Sequence, residues 1–451
     1  MTAPARVAAY HALSAIDDHA LDLPSVLAEG RRRLADPRDR ALAAEIVHGT
    51  LRWRRALDAL IAAAATTGRV PTDGRVLTVL RLSVYQLLHL DRVPASAVVD
   101  DAVELARLAQ RAPAAGFVNA LLRSLLRQRH RLALPPRPQP GSDRAAALAY
   151  LGVTHSHPDW VVGRWLDRYG LEAAEAWVQF NNATPSVTLR VNPLRASAAE
   201  TQAWLHERGV KTAPTRHAPL GLVVEEAEDP GVLHETTDRW VIQDEASQLV
   251  SLLVDARPEQ RVLDLCAAPG GKTTAMAVDM RDTGVLVACD VRPRRIRLLR
   301  DTLTRSGMHA GRVVHVAREG SLPFAPVFDR VLVDAPCSGL GTLRRDPDLK
   351  WRRREADLAG LAVAQEVLLE RAAAAVAPGG RLVYATCSSE PDENDDVVDR
   401  FLRAHPQFRP AAAPDVPAPA AALVDERGVL RTLPHRDGLD AFFAAGFERK
   451  P

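Results

Sequence analysis

"RVLDLCAAPGGKTTAMAVDM", residues 261–280, decides the fold. A short apolar strand runs into a turn of small residues, and an amphipathic helical stretch follows at once. Small residues let a backbone approach a ligand closely, and a helix begins with N–H groups that lack partners inside it. The alternation continues outward through "GVLVACD", "RRIRLLRDTLTR", "RVVHVAR", "DRVLVDA", "DLAGLAVAQEVLLERAAAAV" and "RLVYATC". Apolar strands between amphipathic helices predict a parallel sheet covered on both faces, an α/β Rossmann-like domain over 241–451.

At 451 residues the chain is long for one core and predicts several domains. Residues 1–131 read as an all-helical bundle, with apolar residues at three-to-four spacing in "RALAAEIVHGTLRWRRALDALIAAAA", "VLTVLRLSVYQLLHL" and "AAGFVNALLRSLLRQ". A linker over 132–145 contains "LALPPRPQPGSD", whose prolines cannot continue a helix. Residues 146–240 predict a small α+β module, in which the helical "DWVVGRWLDRYGLEAAEAWVQFNN" precedes short strands such as "SVTLRVN" and "LGLVVEE". The segment "RPAAAPDVPAPAAA", 409–422, predicts a surface loop.

With 47% hydrophobic and 25% charged residues, the composition is that of an ordinary water-soluble protein, with no membrane-spanning run and no cleavable leader pattern. A cytoplasmic location, a monomer and no membrane partner are expected. The cysteines Cys266, Cys289, Cys337 and Cys387 show neither zinc-type pairing nor a reason for disulfides, so no metal is expected. Residues 1–130 hold 18 Arg against 13 Asp+Glu, a basic surplus compatible with an acidic partner or with a solvated surface.

Three strand ends carry the chemistry. The turn Cys266 to Lys272 could be a phosphate loop, but the first glycine of that motif falls on Cys266, which compromises the cradle. Asp290, after the second strand, is placed either to meet ribose hydroxyls or to cap the next helix. Glu319 follows the third strand. Asp334 and Cys337 follow the fourth, and Cys387 follows the fifth, so both thiols and the carboxylate should enter one crevice beside the glycine-rich turn. A cysteine is often a small core residue; two, each directly after a strand, suit nucleophilic chemistry. Methylation at carbon 5 of a pyrimidine needs this set. That carbon is too electron-poor to attack a methyl donor until a thiolate adds at carbon 6, and a carboxyl group at N3 stabilises the adduct.

The motifs "LDLCAAPGGKTT", "DAPCSGLGTLRRDPDLKW" and "LVYATCSSEPDEN" closely resemble bacterial RNA (cytosine-C5) methyltransferases. "LRLSVYQLLHLDRVPASAVVDDAVELA" and "GFVNALLR" resemble the NusB-like domain of the Sun/Fmu (RsmB) type of 16S rRNA enzyme, and "SHPDWVV", "TLRVNPLR", "VIQDEASQLV" and "RDGLDAFFAAGFERK" extend the match. The resemblance implies a multidomain chain: an all-α NusB-like bundle, an RRM-like α+β module and a Rossmann-like catalytic domain. It implies S-adenosylmethionine held by Cys266, Ala267, Ala268, Pro269, Gly270, Gly271 and Lys272, with Asp290 on the ribose, Glu319 toward the adenine and Asp334 near both cofactor and base. Glu319 stands where the family usually has Asp. Cys387 would be the nucleophile, Asp334 would bind the cytosine edge, and Cys337 would help the enzyme leave the finished adduct. Lys272 could steady the substrate or Asp334. The partner would be 16S rRNA or its small-subunit precursor, met by the basic run containing Arg344, Arg345, Lys350 and Arg352, with Trp351 available to stack or pack. Rival readings are a non-catalytic RNA-binding factor, opposed by the presence of Cys387, Cys337 and Asp334 together, and a cysteine hydrolase, opposed because no His lies in an obvious catalytic motif of the α/β region and His405 and His435 fall in the tail.

Overall fold

In the computed structural model, residues 2–451 are described except Thr66, Leu132, Ala133, Pro140, Ser142, Glu235, Thr236, Ala413 and Asp415. Parts of the segments expected to be linker (132–145) and surface loop (409–422) therefore lie outside the described residues. The chain divides into two compact units, Met1–Ala183 with Leu343–Glu355, and Thr184–Thr342 with Ala356–Pro451.

The first unit is helical: α1 (Pro4–Asp17), α2 (Leu23–Arg33), α3 (Pro37–Ala64), α4 (Gly74–His89), α5 (Ala95–Leu108), α6 (Ala115–Gln128), the short α7 (Arg144–Ala149) and α8 (Asp159–Asn182). Local chemistry sets the starts. Asp36 accepts the Arg38 N–H at 2.8 Å before Pro37, and Asp73 accepts the Arg75 N–H at 3.0 Å. The apolar stripes of α1 to α6 meet in one core that includes Leu13, Ile46, Leu57, Leu80 and Leu122. Helix α8 breaks at Gly170, where φ is +80°, and Trp165 stacks on Trp177 with centroids 4.6 Å apart.

The second unit begins with a four-stranded antiparallel sheet ordered β2-β3-β1-β4: β1 (Thr188–Val191), β2 (Val210–Pro214), β3 (Gly221–Ala227) and β4 (Trp240–Ile242). Helix α9 (Ala198–His206) starts from a reciprocal Ser197–Glu200 capping box.

The large sheet follows: β5 (Arg261–Asp264), β6 (Val285–Asp290), β7 (Gly311–His315), β8 (Phe328–Asp334), β9 (Val376–Thr386), β10 (Phe408–Pro410), β11 (Leu430–Thr432) and β12 (Phe442–Arg449). Its order is β10-β12-β9-β8-β5-β6-β7, with β11 on β12. Strands β9, β8, β5, β6 and β7 are parallel, as expected, and burial on both faces explains their apolar sequences. Val262, Leu286, Leu332 and Val383 enter one core, while Leu263, Val287, Val331 and Tyr384 enter the other. The parallel expectation is incomplete at one edge: β12 pairs antiparallel to β9, with Phe443 opposite Thr386. The sheet is thus mixed. Strand order reverses between β5 and β8, which opens a crevice beyond their carboxyl ends. Helices α10 (Glu245–Val254), α11 (Gly271–Asp279), α12 (Pro293–Arg305), the one-turn α13 (Leu349–Arg352), α14 (Asp357–Ala373) and α15 (Asp395–Ala404) complete the set used below.

Candidate active site

Asp334, the last residue of β8, is in register with Ala385 of β9, so the segments after both strands leave the same edge of the sheet. Cys337 and Cys387 meet there with their sulfurs 3.3 Å apart. Both are half-buried free thiols. The Cys387 sulfur beside it and burial together push the Cys337 thiol well above its ordinary pKa.

Lys272 lies in the first turn of α11 and donates to Asp334 Oδ2 at 2.7 Å. Burial works against its charge, but the Asp334 carboxylate outweighs it, and the ammonium stays above its ordinary pKa. The Phe442 ring lies 5.3 Å below. Asp334 is thereby fixed in direction, with its other oxygen left for a further donor.

The turn before α11 is shaped by lack of side chains. Ala267 and Ala268 are buried, and Gly270 has φ +110°, where a Cβ would meet Leu299 and Thr302 at about 3 Å. Pro269 and Gly271 complete it. The leading N–H groups of α11 have no intrahelical acceptor. Cys266 is half-buried; burial first, then Asp264, Asp334 and Asp290, push its thiol up, so it is not poised as a nucleophile. Cys289 is a core thiol pushed up to about 12, chiefly by burial. Asp290 is 5% exposed and accepts the Arg292 N–H at 2.9 Å in the turn before α12, whose N-terminus has no side-chain cap. Glu319 stands exposed beyond β7, apart from the Cys337–Cys387 contact in the chain order of strands.

Three residues that the sequence reading did not single out support this edge. Asp264, at the end of β5, accepts from Thr273 at 2.7 Å through Oδ2, while among the described residues no hydrogen bond reaches its buried Oδ1; burial raises its carboxyl to about 7. Arg190 of β1 donates to Gln243, Thr274 and the Gly271 carbonyl, which ties the antiparallel sheet to the start of α11. Glu393, fully buried, bonds the turns that carry both thiols. A sequence signal exists for the last, since it lies in the quoted "SSEPDEN", but acids are ordinarily outside.

The basic run departs from expectation. Residues 343–355 belong to the helical unit. Lys350 is 0% exposed and donates to the carbonyls of Arg52 and Ser156 and to Asn182 Oδ1 at 3.0–3.3 Å, so the expected phosphate contact is corrected to a buried anchor. Trp351 packs rather than stacks on a ligand, with Nε1 donating to the Leu51 carbonyl at 2.7 Å. Arg344 lies 4.0 Å over the Phe180 ring, and Arg345 is half-buried. Arg352 is exposed but sits 3.2 Å from Asp348.

Comparison with known proteins gives three family matches: the 16S rRNA methyltransferase RsmB/F model over residues 251–448, the NusB family over 3–127 and an RsmF/B-like ferredoxin-like domain over 157–229. A Bacillus subtilis protein named probable ribosomal RNA small subunit methyltransferase B is 34% identical, over 91% of each chain. The Pseudomonas putida ribosomal RNA small subunit methyltransferase B is 35% identical over 90% of each. Among solved structures, PH0851 superposes with a TM-score of 0.80 at 26% identity, covering 100% of this chain and 99% of that one. A methyltransferase homolog from Pyrococcus horikoshii gives 0.57 at 26% identity, covering 68% of this chain and all of its own.

Proposed function

The chain belongs to the RsmB/F family of 16S rRNA methyltransferases, and from that premise we propose that it methylates carbon 5 of a cytosine in small-subunit rRNA through a covalent bond between Cys387 and carbon 6 of the base. The observation that carries this reading is the 3.3 Å approach of Cys337 and Cys387 at the ends of adjacent parallel strands, with Asp334 held by Lys272 alongside.

The cofactor of this family is S-adenosylmethionine, which when bound supplies an electrophilic methyl group. The residues fit it. Among the described residues no hydrogen bond reaches the buried Oδ1 of Asp264, Asp290 sits at the end of β6, and the turn of small residues from Cys266 to Gly271 leads into the free N–H groups that start α11. Asp264 and Asp290 suit the amino group and ribose hydroxyls of that molecule; Glu319 would reach the base.

The protein's own groups then divide the work. Cys387 thiolate forms the S–C6 bond, and the electron pair of the C5–C6 double bond moves onto the ring, which makes carbon 5 nucleophilic. Asp334, aimed by Lys272, would hold the N3 edge, and a proton delivered along the Lys272–Asp334 hydrogen bond would neutralise the charge that builds up on N3. Carbon 5, once methylated, must lose its proton so that the double bond re-forms and Cys387 leaves as thiolate. Cys337 suits that step. Its thiol proton, held at rest by the neighbouring Cys387 sulfur and by burial, would pass to solvent once that sulfur is bonded to carbon, and the thiolate left would take the proton from carbon 5. The target base has to leave its stack to reach both thiols. The helical bundle and the antiparallel-sheet module would serve as RNA clamps, in an enzyme working in the cytoplasm.

Incubation with small-subunit rRNA and labelled cofactor, followed by digestion to nucleosides, is expected to give 5-methylcytidine, lost in Cys387→Ala. A different methylated nucleoside, or the same yield from Cys387→Ala, contradicts the proposal.

A further inference from the structure

Glu393 is fully buried at the end of the three-residue 3-10 turn Pro391–Glu393, and among the described residues no cation pairs with it. Its carboxylate instead accepts four hydrogen bonds. The Ser338 N–H and a Gln365 Nε2–H reach Oε1 at 2.8 and 3.0 Å, and the hydroxyls of Ser338 and Ser388 reach Oε2 at 2.5 and 2.6 Å. Four donors fill its acceptor sites.

The donors come from revealing places. Ser338 directly follows Cys337 and Ser388 directly follows Cys387, so one carboxylate bonds the residue next to each thiol. Gln365, on α14, spends its other Nε2–H on the Pro336 carbonyl at 3.1 Å, and Tyr384 donates to the Glu393 carbonyl at 2.6 Å. Both turns are thereby referred to the helix and strand beneath. A buried carboxylate without a cation is tolerated only while its donors stay in place, so the two turns cannot separate without leaving it unsatisfied.

We propose that Glu393 is a positioning residue that sets the separation of the Cys337 and Cys387 sulfurs by clasping the turn after β8 to the turn after β9. The inference rests on the proposed role of the two thiols, but its geometric part does not need that role. A backbone strap, Gly341 N–H to the Cys387 carbonyl at 2.9 Å, is independent of Glu393 and keeps the loops folded when the clasp is cut. What is lost is the fine placement of the sulfurs.

The test reads the sulfur geometry directly. Diamide takes two electrons and two protons from a close thiol pair, leaving a disulfide and the reduced hydrazine, and the Cys337–Cys387 cross-linked peptide is quantified by mass spectrometry. Glu393→Ala is expected to slow that cross-link at least about tenfold relative to the unmodified enzyme and to lower kcat for rRNA methylation by a similar factor, with KM for rRNA and cofactor unchanged. Ser388→Ala, which removes one of the four donors, is expected to fall between and serves as the deciding variant if Glu393→Ala does not fold. Wild-type cross-linking in folded Glu393→Ala, or in Ser388→Ala when that variant decides, overturns the clasp. Slowed cross-linking together with undiminished methylation by Cys387→Ala leaves the clasp standing and refutes the catalytic reading.

Discussion

Cys387 and Cys337 were legible as a pair because a residue just past a parallel strand has only one place to go, the carboxyl edge of the sheet. Asp264 was not legible. It looks like one more strand residue, and its character comes from burial and from the Thr273 hydroxyl on one oxygen. Its carboxyl, raised to about 7 by burial against an ordinary 3.8, holds a proton in the folded chain that the unfolded chain releases near pH 4. That group's contribution to stability therefore falls as pH rises from about 4 to 7. Asp279, also raised to about 7 by burial, acts in the same sense, whereas buried His157, pushed well below its ordinary value by burial and by Lys350, acts in the opposite one. Comparison of urea midpoints at pH 5 and pH 7 isolates the term: Asp264→Asn is expected to flatten the decline relative to the unmodified protein, and an unchanged slope contradicts the assignment. Glu393 was hidden for a related reason. Sequence pattern expects an acid outside, and only the positions of Ser338, Ser388 and Gln365 make its burial tolerable.

Among elements, the strand–turn–helix order over β5, α11 and β6 could be read directly, because apolar runs of strand length alternate with amphipathic helices. The direction of β12 could not, since "AFFAAGFERK" has the composition of any buried strand and its antiparallel pairing to β9 is set by where the chain returns. Within the run from Arg344 to Arg354, Lys350 misleads for a different reason: charge pattern shows a cation but not its burial. Lys350 fills three oxygen acceptors inside the helical unit. Lys350→Ala is expected to cost about 2–4 kcal/mol of stability, from unpaired buried acceptors and lost packing. It should leave the dependence of RNA affinity on log salt unchanged, because no phosphate contact is removed. A shallower salt slope without loss of stability would restore Lys350 to the RNA surface.

For the molecule as a whole, composition and periodicity sufficed to separate a helical front from an α/β back, and the matches over 3–127, 157–229 and 251–448 follow the same succession. Less legible was the allocation of residues 343–355, which leave the catalytic unit just after the Cys337 loop and are built into the helical one. Apolar pattern reports that a segment is buried, not against what. No helix among the described residues is long and apolar enough to cross a membrane. The small-residue turn before α11, Asp334 held by Lys272 and the adjoining thiols all bear on one proposed bond, that between Cys387 and the cytosine. Mixing Cys337→Ala enzyme with small-subunit rRNA and S-adenosylmethionine, then resolving the products under denaturing conditions, tests that bond most directly. A covalent protein–RNA complex should accumulate, mapping by peptide mass to Cys387, and should be absent with Cys387→Ala. Absence of any complex with Cys337→Ala, or a complex mapping to another residue, would contradict the mechanism.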